Sequence, residues 1–380
     1  MKENNLFIRL AKILVAISAV MPMLIHGNDK SSLDISSYIY VLDIKINPKN
    51  TNELYAAFAR SGLYRSTDKG ETWIRSGAEI ESFDNGVTQI AFDHTGKNVY
   101  VGTFRDLFMN YDGSNWVKLG EFDIVYEIFI QPTDQQNVIY VSTSRGLFIN
   151  ADGREWRIKG APVELATFSS MFYPVAIDPS DHGMIYFALT NTCGLSIVNS
   201  EDNPVHNNEC DRSGIYKSND SGITLKNKIL ARSGVLLISS SDSTVMYGVD
   251  ENIILKSIDG GASWKEIRNF GDRSSSKIDI LVMNPADHNI LYSKVTNIVK
   301  SGESQNFLFK SFDGGKTWHD ISSNLPICNN RDCDVKNIVI DPLNTDILYI
   351  GTIRKGIFKS TDAGKSWKAI NNGIEPSREN

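Results

Sequence analysis

One short pattern recurs along the chain and constrains its fold more tightly than anything else in the sequence. It reads Ser66-Thr-Asp68-Lys-Gly70-Glu-Thr-Trp73 in its first copy, and six further copies are centred on Asp112, Asp152, Asp220, Asp259, Asp313 and Asp362. The aspartates lie 44, 40, 68, 39, 54 and 49 residues apart, and all six tryptophans of the chain fall inside the pattern. A carboxylate that accepts turn N–H groups, a glycine able to take positive φ, and flanking hydroxyls together specify a tight hairpin turn. The tryptophan then opens the next strand and buries a large ring. Copies two and three lack one residue before the tryptophan, so tighter turns are expected there. Copy four carries Leu225 in place of tryptophan.

Three strand-like runs precede each turn. The nearest is exemplified by Gly62-Leu-Tyr-Arg and Gly356-Ile-Phe-Lys. Before it come runs such as Leu54-Tyr-Ala-Ala and Leu348-Tyr-Ile-Gly, and before those, apolar runs ending in a turn such as Ile338-Val-Ile-Asp-Pro342. With the tryptophan strand that makes four short strands per unit, over about 50 residues, repeated seven times. The expected fold is all-β: a seven-bladed β-propeller of four-stranded antiparallel blades, strands A to D running outward from the axis. The expected boundaries are 1–27 for a leader, 28–39 for an N-terminal segment, 40–372 for the propeller and 373–380 for a tail. How the ring closes is not legible.

The leader reading rests on Lys2, Arg9 and Lys12 ahead of an apolar run from Ile13 to Ile25. At about 13 residues that run is short of the roughly 20 needed to span a bilayer, so a cleavable signal peptide and an exported protein, secreted or periplasmic/lumenal, are expected. An uncleaved anchor is the alternative. Residues 1–27 carry a net +2 (Lys2, Arg9 and Lys12 against Glu3), so removing them takes the net charge from −6 to −8. An acidic chain offers no footprint for nucleic acid, and no later segment is long and apolar enough to span a membrane. Export favours disulfides among Cys193, Cys210, Cys328 and Cys333. Four cysteines allow three pairings; 193–210 with 328–333 is the simplest, and free thiols are the alternative.

The Ser-x-Asp-x-Gly-x-Thr-Trp pattern resembles the Asp-box, or BNR, repeat. The longer unit from Ile340-Asp-Pro to Trp367 resembles propellers of the sortilin luminal domain and of photosystem II assembly factors. It is also similar to those of xyloglucan-cleaving glycosidases and, more distantly, sialidases. The resemblance covers about residues 40–372 and implies that Asp68, Asp112, Asp152, Asp220, Asp259, Asp313 and Asp362 are structural, at C–D turns on the face away from any ligand. It also implies what is missing. The Phe-Arg-Ile-Pro motif of sialidases is absent from the mature chain. Where xyloglucan-cleaving enzymes carry an aspartate just before the glycine of the first blade's strand C, this chain reads Phe58-Ala-Arg-Ser-Gly62.

Nothing else in the sequence points to catalysis. Asp84, Glu127 and Asp250 are carboxylates without a legible pairing and read as solvated loop residues. His94, His182 and His288 read as surface residues near A–B turns. No metal site and no cofactor motif is legible. One further pattern recurs: the B–C turn carries an arginine in five blades, at Arg60, Arg105, Arg145, Arg212 and Arg354. It is either a solvated relic of the repeat or a ligand-binding set. Insertions fall on the same side: Asn191 to Ser213 and Asn297 to Asn306 at B–C turns, and the Cys328/Cys333 loop at a D–A link. The favoured expectation is a non-catalytic exported propeller that binds a protein or acidic peptide segment through its B–C/D–A face, as an assembly or scaffolding factor. The alternative is a carbohydrate-active propeller, lectin-like or a glycoside hydrolase.

Overall fold

A computed structural model of the chain describes residues 39–375 except 60, 81–85, 112, 114, 123, 134–136, 144, 152, 160–169, 192–213, 221–225, 232–234, 272–275, 299–303 and 326–334. It contains seven four-stranded sheets, each built from four strands consecutive in sequence and paired antiparallel. Blade 1 comprises β1 (Val41–Ile46), β2 (Leu54–Phe58), β3 (Gly62–Ser66) and β4 (Ile74–Ser76). Blade 2 comprises β5 (Val87–Phe92), β6 (Asn98–Thr103), β7 (Asp106–Tyr111) and β8 (Trp116–Glu121). Blade 3 comprises β9 (Val125–Gln131), β10 (Val138–Thr143), β11 (Gly146–Asn150) and β12 (Arg157–Lys159). Blade 4 comprises β13 (Ser170–Ile177), β14 (Ile185–Asn191), β15 (Gly214–Ser218) and β16 (Lys226–Ala231). Blade 5 comprises β17 (Leu236–Ile238), β18 (Met246–Asp250), β19 (Ile253–Ser257) and β20 (Lys265–Asn269). Blade 6 comprises β21 (Ser276–Met283), β22 (Leu291–Ile298), β23 (Ser304–Ser311) and β24 (His319–Asp320). Blade 7 comprises β25 (Val335–Ile340), β26 (Leu348–Thr352), β27 (Ile357–Ser360) and β28 (Lys368–Ala369). The fold is therefore the seven-bladed propeller expected from the repeat. First strands pack on first strands of neighbouring blades, β1 on both β5 and β25, which puts strand A at the axis.

Every box lies between the third and fourth strand of its blade. In the first copy Asp68 accepts from Thr72 N–H (2.9 Å) and Thr72 Oγ1 (2.5 Å), while Ser66 Oγ accepts from Gly70 N–H at 2.8 Å. The same bonds recur around Asp259, Asp313 and Asp362. In copy four Ser218 Oγ donates to Asp220 at 2.8 Å; Asp112 and Asp152 lie outside the described residues. The turn uses two consecutive left-handed residues, as at Lys69 (φ 61°) and Gly70 (φ 83°), or Ala363 (φ 58°) and Gly364 (φ 88°). Only the second of these is marked by an invariable glycine in those copies.

Blades are joined by two devices. The box tryptophan reaches back to the preceding blade: Trp73 Nε1 donates to Ile370 O at 2.8 Å, Trp156 Nε1 to Leu119 O at 3.0 Å, and Trp116 meets Tyr55 edge-on at 6.0 Å. A tyrosine of strand B reaches forward. All seven blades carry one, at Tyr55, Tyr100, Tyr140, Tyr186, Tyr247, Tyr292 and Tyr349, each buried. The hydroxyls of Tyr247, Tyr292 and Tyr349 donate to Gly314 O, Ala363 O and Lys69 O, the residue after the box aspartate of the next blade. A strand-C cation lies over the ring in five blades: Arg65, Lys217, Lys256, Lys310 and Lys359.

These devices also close the ring. Trp73, Tyr349 and Ile370 share one core with β1 and β2, and Glu71 of box one pairs with Lys359 and Lys368 of blade 7 at 3.0 and 3.1 Å. Among the described residues no strand is exchanged between blades 1 and 7. Instead Ile39 makes a single parallel bridge to Lys355, and Ile374 packs into the blade-1 core. Two expectations are amended. The stretch from Asn297 to Asn306 is not an enlarged turn: β22 and β23 stay paired out to Ile298 and Ser304, so the hairpin itself is lengthened. Ordered packing runs to Ile374, beyond the expected end of the propeller at 372. All four cysteines, and with them the expected pairings, lie outside the described residues. No α-helix occurs among the described residues, and none there is long and apolar enough to cross a membrane.

Candidate functional site: the B–C rim and the channel mouth

An antiparallel four-stranded blade puts its A–B and C–D turns at one end and its B–C turns and D–A links at the other. The boxes therefore mark one face, and the arginine turns and insertions mark the opposite rim. Arg105, Arg145 and Arg354 occupy that rim on blades 2, 3 and 7; Arg60 and Arg212 lie outside the described residues.

A threonine shapes each described arginine turn. Thr103, Thr143 and Thr352 end strand B and donate to Asp106 O, Gly146 O and Gly356 O at 3.1, 3.0 and 2.9 Å. Their Oγ1 atoms also accept the N–H of Arg105, Arg145 and Lys355. The Thr-x-Arg spacing in the sequence is thus the local cause of the turn. Arg105 and Arg145 are exposed and Arg354 is half-buried. All three engage neighbouring groups. Arg145, for example, places Nη2 3.4 Å from Glu121 O and its guanidinium over Phe148 at 5.8 Å.

The channel holds groups that sequence reasoning misplaced. Strand A carries a β-bulge at the same point in five blades, beside Asp43, Gln89, Glu127, Ile280 and Asn337, and blade 4 has one two register positions away, beside Ala176. Bulges re-aim side chains. Asp43, Gln89, Glu127 and Asn337 thus share one register position on four successive blades, 7, 1, 2 and 3. Asp43 is buried, at 2% exposure. It accepts from Ile44 and Ile90 N–H at 2.9 Å each, and Lys45 Nζ lies 3.3 Å away. Burial raises the Asp43 carboxyl, opposed by Lys45 and the two N–H groups; Asp43 in turn raises Lys45. Glu127 was expected to be a solvated loop residue. It sits in β9, half-buried, and burial pushes it up to about 7, with Asp43 adding and Lys45 opposing. Nothing in one sequence reveals that a strand-A glutamate faces a buried Asp–Lys pair two blades away. Asp250 ends β18 and is half-buried, and Asp84 lies outside the described residues. His94 and His182 are exposed, while His288 is half-buried with Nδ1 3.4 Å from Ser239 Oγ. No cluster of three metal-ligating side chains occurs among the described residues.

The profile of the BNR/Asp-box repeat matches residues 309–320, the copy around Asp313. No curated protein sequence matches the chain. Among solved structures, the GH74 xyloglucanase from Xanthomonas campestris superposes with a TM-score of 0.67 at 14% identity, over 89% of this chain and 55% of that one. The GH74 enzyme of Niastella koreensis gives 0.63 at 17% identity, over 89% and 55%. The chain thus spans about half the length of these enzymes. YCF48 from Cyanidioschyzon merolae gives 0.53 at 14% identity, over 86% of this chain and 96% of that one, and YCF48 bound to D1 peptide gives 0.53 at 12%, over 86% and 94%. At these identities the likeness is one of fold.

Proposed function

We propose that this chain is an exported, non-catalytic propeller that holds an acidic segment of a partner protein on its B–C/D–A rim, as an assembly or scaffolding factor. The observation that carries the reading is the repeated presentation of arginine: Thr-folded turns place Arg105, Arg145 and Arg354 at equivalent points of one rim of an acidic molecule. Arginine keeps its charge and pairs with carboxylates through two N–H groups at once. A propeller of comparable build holds a peptide in YCF48 bound to D1 peptide.

A carbohydrate-active reading draws on Glu127, a carboxyl that burial raises to about 7, close enough to feel Asp43. Glycoside hydrolysis requires a second carboxylate that faces the sugar. Asp43 is enclosed and committed to two N–H groups and Lys45, which leaves it unsuited to that part. The test replaces Arg105, Arg145 and Arg354 together by alanine. Binding to a partner recovered from the export compartment is expected to fall at least tenfold while Tm stays within about 2 °C. Unchanged binding, or hydrolysis of a glycan by the wild-type chain, overturns the reading.

A further inference from the structure

The seam between blades 1 and 2, on the box face, differs from the seams between blades 5, 6, 7 and 1. At those seams the strand-B tyrosine donates to the box turn of the next blade. Box two is one residue shorter than those boxes, and Tyr55, which should meet it, makes no hydrogen bond through its hydroxyl among the described residues. Tyr55 is nonetheless only 1% exposed. In place of the missing contact there is a cavity of about 180 Å³ lined by Glu53, Tyr55, Arg65, Phe92, Lys97 and Val99, with the Gly96 and Gly113 backbones at its edge. Among the described residues the Tyr186 hydroxyl also lacks a partner, but that atom is enclosed.

The lining is chemically ordered. Arg65 donates Nε and Nη2 to Glu53 Oε1 at 2.8 and 2.6 Å, and Asn47 donates to Glu53 Oε2 at 2.7 Å, so the one carboxylate is already engaged. Arg65 Nη1 lies against the Gly113 turn. Lys97 is exposed and makes no ion pair among the described residues. The donors not spent on Glu53 are therefore the Tyr55 phenol, the Lys97 ammonium and the outer N–H groups of Arg65, and the charged lining sums to one net positive charge from Arg65 and Lys97 against Glu53. Phe92 and Val99 supply an apolar wall.

We propose that this cleft binds a small organic carboxylate, its oxygens taken by Tyr55 and Lys97 and its carbon portion set against Phe92 and Val99. The space equals that of about six waters, which suits an acid of a few carbons. A bare oxyanion would leave the apolar wall unused, so propionate is held more tightly than inorganic phosphate.

The experiment follows the amide resonances of Gly96 and Gly113 in the mature chain during titration with propionate, and separately with inorganic phosphate. Saturable shifts with a Kd of about 1 mM are expected for propionate, a reasonable affinity for so small a ligand. Lys97→Ala, a change at an exposed side chain, and Tyr55→Phe should each weaken propionate about tenfold, while Arg105→Ala on the opposite rim should leave it unchanged. Absence of saturable shifts, or unchanged binding in both cleft variants, overturns the site. Phosphate binding as tightly as propionate overturns the assignment to a carbon-bearing ligand.

Discussion

Glu127 and the box aspartates are shifted in opposite directions, and the signs give separate predictions. Asp259 and Asp313 are held at about 2, below their ordinary 3.8, by hydrogen bonds from Ser263 and Thr317. Their contribution to stability is complete above the unfolded value and is lost as pH falls from 3.8 towards 2. Melting measured at pH 5 and pH 2.5 should show that acid loss, and Asp313→Asn should lower Tm at pH 5 more than at pH 2.5. Glu127 is raised from 4.5 to about 7. Between those values the folded state holds a proton that the unfolded state has released, so stability falls as pH rises from 4.5 to 7. Glu127→Gln removes that penalty. It should stabilise by about 2 kcal/mol at pH 8 and by little at pH 4, a difference read from denaturant curves at the two values. Equal effects at both pH values would show that Glu127 ionises normally.

At the level of strands and turns, the blade seams make the next predictions. Trp73 is 2% exposed and ties blade 1 to blade 7, so Trp73→Ala should cost about 3–5 kcal/mol. Tyr349→Phe removes the 3.1 Å bond to Lys69 O and should cost about 1 kcal/mol, whereas Tyr55→Phe, which loses no such bond, should be nearly neutral. The boxes and the strand order were legible because turn chemistry is local: Ser66, Asp68, Gly70 and Thr72 bond to one another. The forward tyrosine was visible as a letter in every strand B but not as a device, because its acceptor belongs to the next blade. The lengthened hairpin of blade 6 was missed for a related reason. Asn297 and Gln305 look like turn residues, and only their cross-strand pairing shows otherwise.

Over the whole molecule, the two faces carry different chemistry. Box turns, tyrosine hydroxyls and strand-C cations knit the ring together on one face, while the opposite rim carries Thr-folded turns that display arginine. A chain of net charge −6 that keeps cations at one repeated turn should attract acidic segments there, more weakly as salt rises. The most direct test titrates a short Asp/Glu-rich peptide into the propeller and maps the perturbed backbone amides at low and at physiological salt. Shifts are expected at Phe104, Arg105, Arg145, Arg354 and Lys355, diminishing as salt rises. Shifts confined to the box turns around Asp68, Asp259, Asp313 and Asp362, or none at either salt, would contradict binding at this rim.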